Sequence, residues 1–129
     1  MTDQNAPIAV IEDNTPIRKL FATILSKSGF PVVEFPDGNS ALASFKDNPV
    51  STIIMDILLP DINGTELIKD VRLIDSCNDV PIIAVTGFAQ TSDREKFIEL
   101  GFDAYISKPI NTHAFVDEVK EIRTNKFSN

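Results

Sequence analysis

Short β-branched runs alternate with amphipathic stretches five times along this chain, the pattern of a parallel α/β sheet. The first run, Ile8-Ala9-Val10-Ile11, is apolar throughout, which suits a strand covered on both faces. Glu12-Asp13-Asn14 stops it. A helix is expected from about Thr15 to Ser28, with Asn14 as N-cap, Pro16 in the first turn and Gly29 as the C-terminal cap. Ile17, Leu20, Phe21, Ile24 and Leu25 recur there at helical spacing.

The later units read the same way. Val32-Val33-Glu34-Phe35 is a partly exposed strand at the sheet edge, and Asp37 caps a helix carrying Ala41, Leu42 and Phe45. Thr52-Ile53-Ile54-Met55 is the third strand, with Asp56 at its end. Leu59 to Gly64 is a loop in which Asn63-Gly64 favours a turn with positive φ. A helix with Leu67, Ile68, Val71 and Ile74 follows. Pro81 to Val85 is the fourth strand, ending at Thr86-Gly87, and Ser92 with Glu95 resembles a capping box. Gly101 closes that helix. Ala104 to Ser107 is the fifth strand, ended by Lys108-Pro109. Asn111 caps a last helix with Phe115, Val119 and Ile122, and Thr124 to Asn129 reads as a tail. The expectation is one doubly wound, five-stranded (βα)5 domain over residues 1–129, with its core at about 7–124.

Ligands in such sheets bind beyond the carboxyl ends of the strands. Here those ends carry Glu12-Asp13, Asp56, Thr86 and Lys108, and each ends an apolar run. Three clustered carboxylates repel one another, and a hard divalent cation relieves that repulsion. Mg²⁺ suits the set, since it takes a few carboxylates and keeps other positions for water and phosphoryl oxygens. A nucleophilic carboxylate, a metal, a lysine and a hydroxyl donor together make a phosphoryl-accepting site.

Composition narrows the picture. The 129 residues carry a formal charge of −7 at 43% hydrophobic content. A core is affordable, and so acidic a surface argues against nucleic-acid binding. Residues 1–6 lack the order of a signal peptide, and no apolar run is long enough to span a bilayer. Cys77 is the single cysteine, so no intrachain disulfide forms, which is compatible with the cytoplasm. A monomer or weak dimer is expected.

The pieces Ile11-Glu12-Asp13-Asn14, Met55-Asp56, Leu59-Pro60-Asp61 with Gly64, Val85-Thr86-Gly87 and Ser107-Lys108-Pro109 resemble the receiver domain of two-component response regulators. The resemblance runs from about Ile8 to Ile122. It implies that Asp56 is phosphorylated by a histidine kinase or histidine phosphotransfer protein. It implies that Glu12, Asp13, Asp56 and the backbone carbonyl of Leu58 hold Mg²⁺, and that Thr86 and Lys108 contact the acyl phosphate. By the same resemblance Tyr105 changes rotamer as Thr86 moves, the Lys108–Pro109 bond is cis, and Leu58 and Phe88 flank the hydrolytic water. A downstream protein would read the phosphorylated form.

Each residue also has a plainer role. Glu12-Asp13 alone reads as a solvated loop, Asp56 as a strand terminator, Lys108 as a surface lysine and Tyr105 as core. His113 reads as solvated, Cys77 as an inert loop residue, and the charges from Asp93 to Glu99 as a helix face. Rival functions are a flavodoxin-like cofactor module, a haloacid-dehalogenase-like phosphatase, and a degenerate receiver that only binds. The first would need a Ser/Thr/Gly-rich phosphate loop or a cobalt-ligating histidine, and the second an acid at position 58, where Leu58 stands. Retention of all five site residues argues against the third. A receiver excised from a hybrid histidine kinase is a further alternative.

Overall fold

The computed structural model describes residues 4–87 and 93–127, with the backbone alone at 93 and 94. Five strands are present: β1 (Ile8–Ile11), β2 (Val32–Phe35), β3 (Thr52–Asp56), β4 (Ile82–Thr86) and β5 (Ala104–Ser107). They form one parallel sheet in the order β2-β1-β3-β4-β5. The helices between and after them are α1 (Thr15–Lys27), α2 (Gly38–Phe45), α3 (Gly64–Arg72), α4 (Asp93–Leu100) and α5 (Thr112–Phe127).

Side chains alternate along each strand, and the alternation splits the core in two. Ala9, Ile11, Ile53, Met55, Ile82 and Ala84 join Phe45, Leu67, Ile68 and Phe97 on the α2–α4 side. Ile8, Val10, Ile54, Ile83, Val85 and Ile106 join Phe21, Leu25, Phe115 and Val119 on the α1–α5 side. The rings of Phe21 and Phe115 stack at 5.0 Å and bind those two helices together. Truncating either ring to alanine would cost about 3–5 kcal/mol. β2 lies at the edge and is half-buried, as its mixed sequence implied.

The caps are largely those expected. Asn14 accepts from the Ile17 amide, Asp37 from Ser40, and Asn111 from His113 and Ala114. Gly29 and Gly101 adopt φ of 97° and 110° at helix ends. The Ser92 capping box lies outside the described residues.

Four expectations need correction. Asn63 has φ −66° and caps α3, and Gly64 is not among the positive-φ glycines. Gly64 is required for space, because a Cβ there would lie 2.9 Å from the Ile57 Cα and 3.1 Å from the Asp56 carbonyl oxygen. α3 stops at Arg72, so Ile74 packs on the core from the following loop. Cys77 is fully buried in a short 3₁₀ turn (Asp75–Cys77) rather than a plain loop, and burial raises its thiol pKa. α5 continues to Phe127, so most of the expected tail is helix.

Arg123 explains that extension. Its guanidinium lies between the rings of Phe30 and Phe127, 5.0 Å and 5.3 Å from their centres. It donates to the hydroxyls of Ser51 and Thr52 at the foot of β3 and to the Gln4 carbonyl. A cation only 9% exposed is thus satisfied by two hydroxyls, a carbonyl and two aromatic rings.

Candidate functional site

The carboxyl ends of β1, β3 and β4 meet where the sheet order reverses. Glu12 and Asp13 follow β1, and the Glu12 amide extends the ladder to the Phe35 carbonyl at 3.0 Å. Asp56 ends β3, and the next amide, Ile57, reaches the Val85 carbonyl of β4 at 3.3 Å. One carboxylate oxygen from each of Glu12, Asp13 and Asp56 lies within 4.8 Å of the others. Glu12 is 1% exposed and Asp56 7%, whereas Asp13 faces solvent. The hard, anionic donor set fits Mg²⁺: three protein oxygens converge, and the open side leaves room for water and a phosphoryl oxygen.

Lys108 completes the cluster from the far side. The Lys108–Pro109 peptide is cis. The Lys108 amide holds the Thr86 carbonyl at 2.9 Å, which fixes the backbone from which the side chain turns inward. Its ammonium donates to Glu12 Oε1 at 2.8 Å and lies 3.5 Å from Asp56 Oδ2. Partial burial pushes the lysine pKa down, but the Glu12 hydrogen bond and the Asp56 charge outweigh it, and the net shift is upward.

Thr86 ends β4 and is buried, 4% exposed. Tyr105 pairs with Ala84, two residues before Thr86, so Thr86 and Tyr105 share one face of the sheet. Tyr105 is half-buried, with its ring 5.8 Å from that of Phe97 on α4. Leu58 lies on the loop after Asp56, its amide 3.3 Å from Asp56 Oδ1 and its side chain 54% exposed. A bridge from Leu58 to Asn63 closes that loop. Phe88 lies outside the described residues. His113 is exposed, as expected.

Two residues escaped the sequence reading. Arg18 donates to the Glu12 carbonyl at 2.8 Å and pairs with Glu34 of β2 at 3.4 Å, fastening Glu12 to the edge strand. Nothing in helical spacing separates it from Lys19, which also meets Glu34. Asp61, quoted only as part of a motif, accepts from the Gly38 and Asn39 amides at the start of α2. Partial desolvation raises its pKa, but these amides outweigh that and hold it below its ordinary value.

The family model described as the response regulator receiver domain matches residues 8–120. The polar-differentiation response regulator DivK of Brucella anthropi is 35% identical over 113 residues, covering 88% of this chain and 92% of that protein. A CheY-like receiver domain protein from Methanospirillum hungatei superposes with a TM-score of 0.83 at 30% identity, over 94% of this chain and 95% of the other. The receiver domain of the sensor histidine kinase PA1611 from Pseudomonas aeruginosa has a TM-score of 0.80 at 27% identity, covering 96% and 98%. That structure holds a magnesium ion coordinated in its active-site cleft.

Proposed function

This chain belongs to the response regulator receiver family, and we propose that it accepts a phosphoryl group on Asp56 with Mg²⁺ bound by Glu12, Asp13, Asp56 and the Leu58 carbonyl. The observation that carries the reading is the convergence of three carboxylates within 4.8 Å beside the Lys108 ammonium. In the transfer, an Asp56 carboxylate oxygen attacks phosphorus. The bond from phosphorus to the donor's histidine nitrogen breaks, and its electron pair stays with the imidazole. Bound Mg²⁺ supplies neutralising charge to the phosphoryl oxygens. Lys108 adds a second positive charge, and Thr86 offers a hydroxyl to a phosphoryl oxygen. The donor is a histidine kinase or histidine phosphotransfer protein.

The output is a packing change. Thr86 moves toward the phosphoryl group, Tyr105 turns into the space released, and the α4–β5–α5 face changes for a downstream protein. The shared sheet face of Thr86 and Tyr105 supports this route. The chain then returns to its resting form by its own hydrolysis: water attacks phosphorus and the acyl-phosphate bond breaks.

The test is incubation with acetyl phosphate. The expected result is a hydroxylamine-labile phosphoryl adduct on the wild type that requires Mg²⁺ and is missing from Asp56→Asn. A hydroxylamine-resistant adduct, or an equal adduct on Asp56→Asn, overturns the assignment.

A further inference from the structure

Asp61 stands in the sequence motif that precedes α3, yet no step above uses it. Its carboxylate bridges two amides: Oδ1 accepts from Gly38 at 3.0 Å and Oδ2 from Asn39 at 2.8 Å. These are the first two residues of α2. The next amide, Ser40, is already held by Asp37 at 2.8 Å. The start of α2 is therefore shared between a local cap and an acid delivered from the loop that follows Asp56.

A second, independent contact binds the same two segments. A Cβ at Gly38 would lie 2.5 Å from Ile62 Cγ2 and 3.1 Å from Leu67 Cδ2. Gly38 is not among the positive-φ residues, so space rather than backbone freedom requires glycine there. The helix start is pressed directly onto the residue after Asp61. At the other end of the loop, Gly64 lets α3 close against Ile57 and the Asp56 carbonyl, 2.9 Å and 3.1 Å from where a Cβ would be. Leu58 lies between these two anchors.

We propose that Asp61 and Gly38 form a latch that fixes the Leu58 carbonyl, so that the start of α2 sets the Mg²⁺ affinity of the phosphorylation site. The inference rests on the metal reading given above. Mg²⁺ demands near-ideal octahedral geometry, so a ligand displaced by a few tenths of an ångström is a weaker ligand. Partners that orient metal ligands from outside the ligand set have correspondingly large effects on affinity. Asp61 touches no substrate and is a positioning residue. Coupling is reciprocal, so Mg²⁺ binding must also be felt at the Gly38 and Asn39 amides.

The experiment is a Mg²⁺ titration of the full chain, by calorimetry and by amide NMR, with apo melting curves measured alongside. Asp61→Asn and Gly38→Ala are expected to weaken Mg²⁺ binding about three- to tenfold, toward the low end of such effects. Adding Ile62→Ala to Gly38→Ala removes the closest contact, at 2.5 Å, and restores part of the affinity. In the wild type, the Gly38 and Asn39 amides shift with the same Kd as the metal. The latch is overturned if Asp61→Asn and Gly38→Ala bind like wild type, if the Ile62→Ala partner restores nothing, or if those amides stay still at saturation. Asp13→Asn separates the two ideas: if it binds Mg²⁺ like wild type, or if wild type binds none, the metal reading fails and the latch falls with it.

Discussion

The Lys108 ammonium is bonded to Glu12 at 2.8 Å and stands 3.5 Å from Asp56. It therefore holds the deepest acid of the cluster while remaining within reach of Asp56. Glu12 at 1% exposure has lost nearly all its water, and Lys108 replaces it as partner, aided by the Asn14 amide at 3.3 Å.

Lys108→Ala should accordingly destabilise the metal-free chain by about 1–3 kcal/mol, the range for stripping a buried acceptor of its partner. Adding Glu12→Gln to Lys108→Ala should recover part of that loss, because a neutral amide costs less to bury. Urea unfolding of the four variants in a double-mutant cycle measures the coupling. Independent, additive losses would refute the pairing.

Asp13→Asn should do the opposite. It removes one of three mutually repelling charges, so the apo form should gain about 0.5–1 kcal/mol, a rise of about 2–4 °C in melting temperature. Mg²⁺ binding should weaken at the same time, and the stabilisation Mg²⁺ gives should shrink with it. A variant that melts and binds like wild type would remove Asp13 from the ligand set.

Hydrolysis of the phosphorylated form should be slow. Leu58, 54% exposed on the loop beside Asp56, is not folded into the core. It cannot orient a water by hydrogen bonding, and neither can Phe88. Leu58→Asn and Phe88→Glu, singly and together, should speed dephosphorylation by a few-fold to about a hundred-fold. Loss of phosphate at unchanged rates would contradict shielding.

Asp61 should give a pH signature. Its folded pKa is below its ordinary value of 3.8, so its stabilising contribution is fully present above 3.8 and fades as pH falls through the folded value. The stability gap between wild type and Asp61→Asn should be constant from neutral pH to about pH 5 and should narrow on further acidification. Denaturant midpoints collected across that range would show it; a gap that widens toward acid has the wrong sign.

Phosphorylation should perturb amides around Tyr105, Phe97 and α5 more than those of the α1 surface. Tyr105 rests against Phe97 at 5.8 Å, so any rotation of its ring unpacks or repacks that contact. Tyr105→Ala should leave acceptor chemistry in place while reducing the shifts at α4. Shifts confined to α1, β2 and α2 would count against this output route.

Periodicity exposed the five strands, because each is a short apolar run ended by a polar residue, and the helices showed through residues such as Phe21, Leu25 and Phe115. The acids and Lys108 could be found because strand ends in a parallel sheet converge. What stayed hidden depended on contacts between distant segments. Gly64 looked like a turn glycine since Asn-Gly usually is one; only the approach of α3 to β3 reveals that volume, not φ, is at stake. Arg18 and Asp61 carry no periodic signal, as their partners lie on the Glu12 carbonyl and on the amides of α2. The full length of α5 is not legible because Thr124, Asn125 and Lys126 are polar, and the reason for continuing the helix is a guanidinium one turn earlier.

That guanidinium bears on how the protein is cut for experiments. A fragment trimmed to the span of the family match would stop at residue 120 and discard Arg123. The hydroxyls of Ser51 and Thr52, both fully buried, would lose their donor, and Phe30 would lose the flat cation that covers it. Gln4, whose carbonyl the same guanidinium holds, would be lost as well, since that span begins at residue 8. Such a fragment would keep every residue of the proposed phosphorylation site and still expose the foot of the β3 strand that carries Asp56.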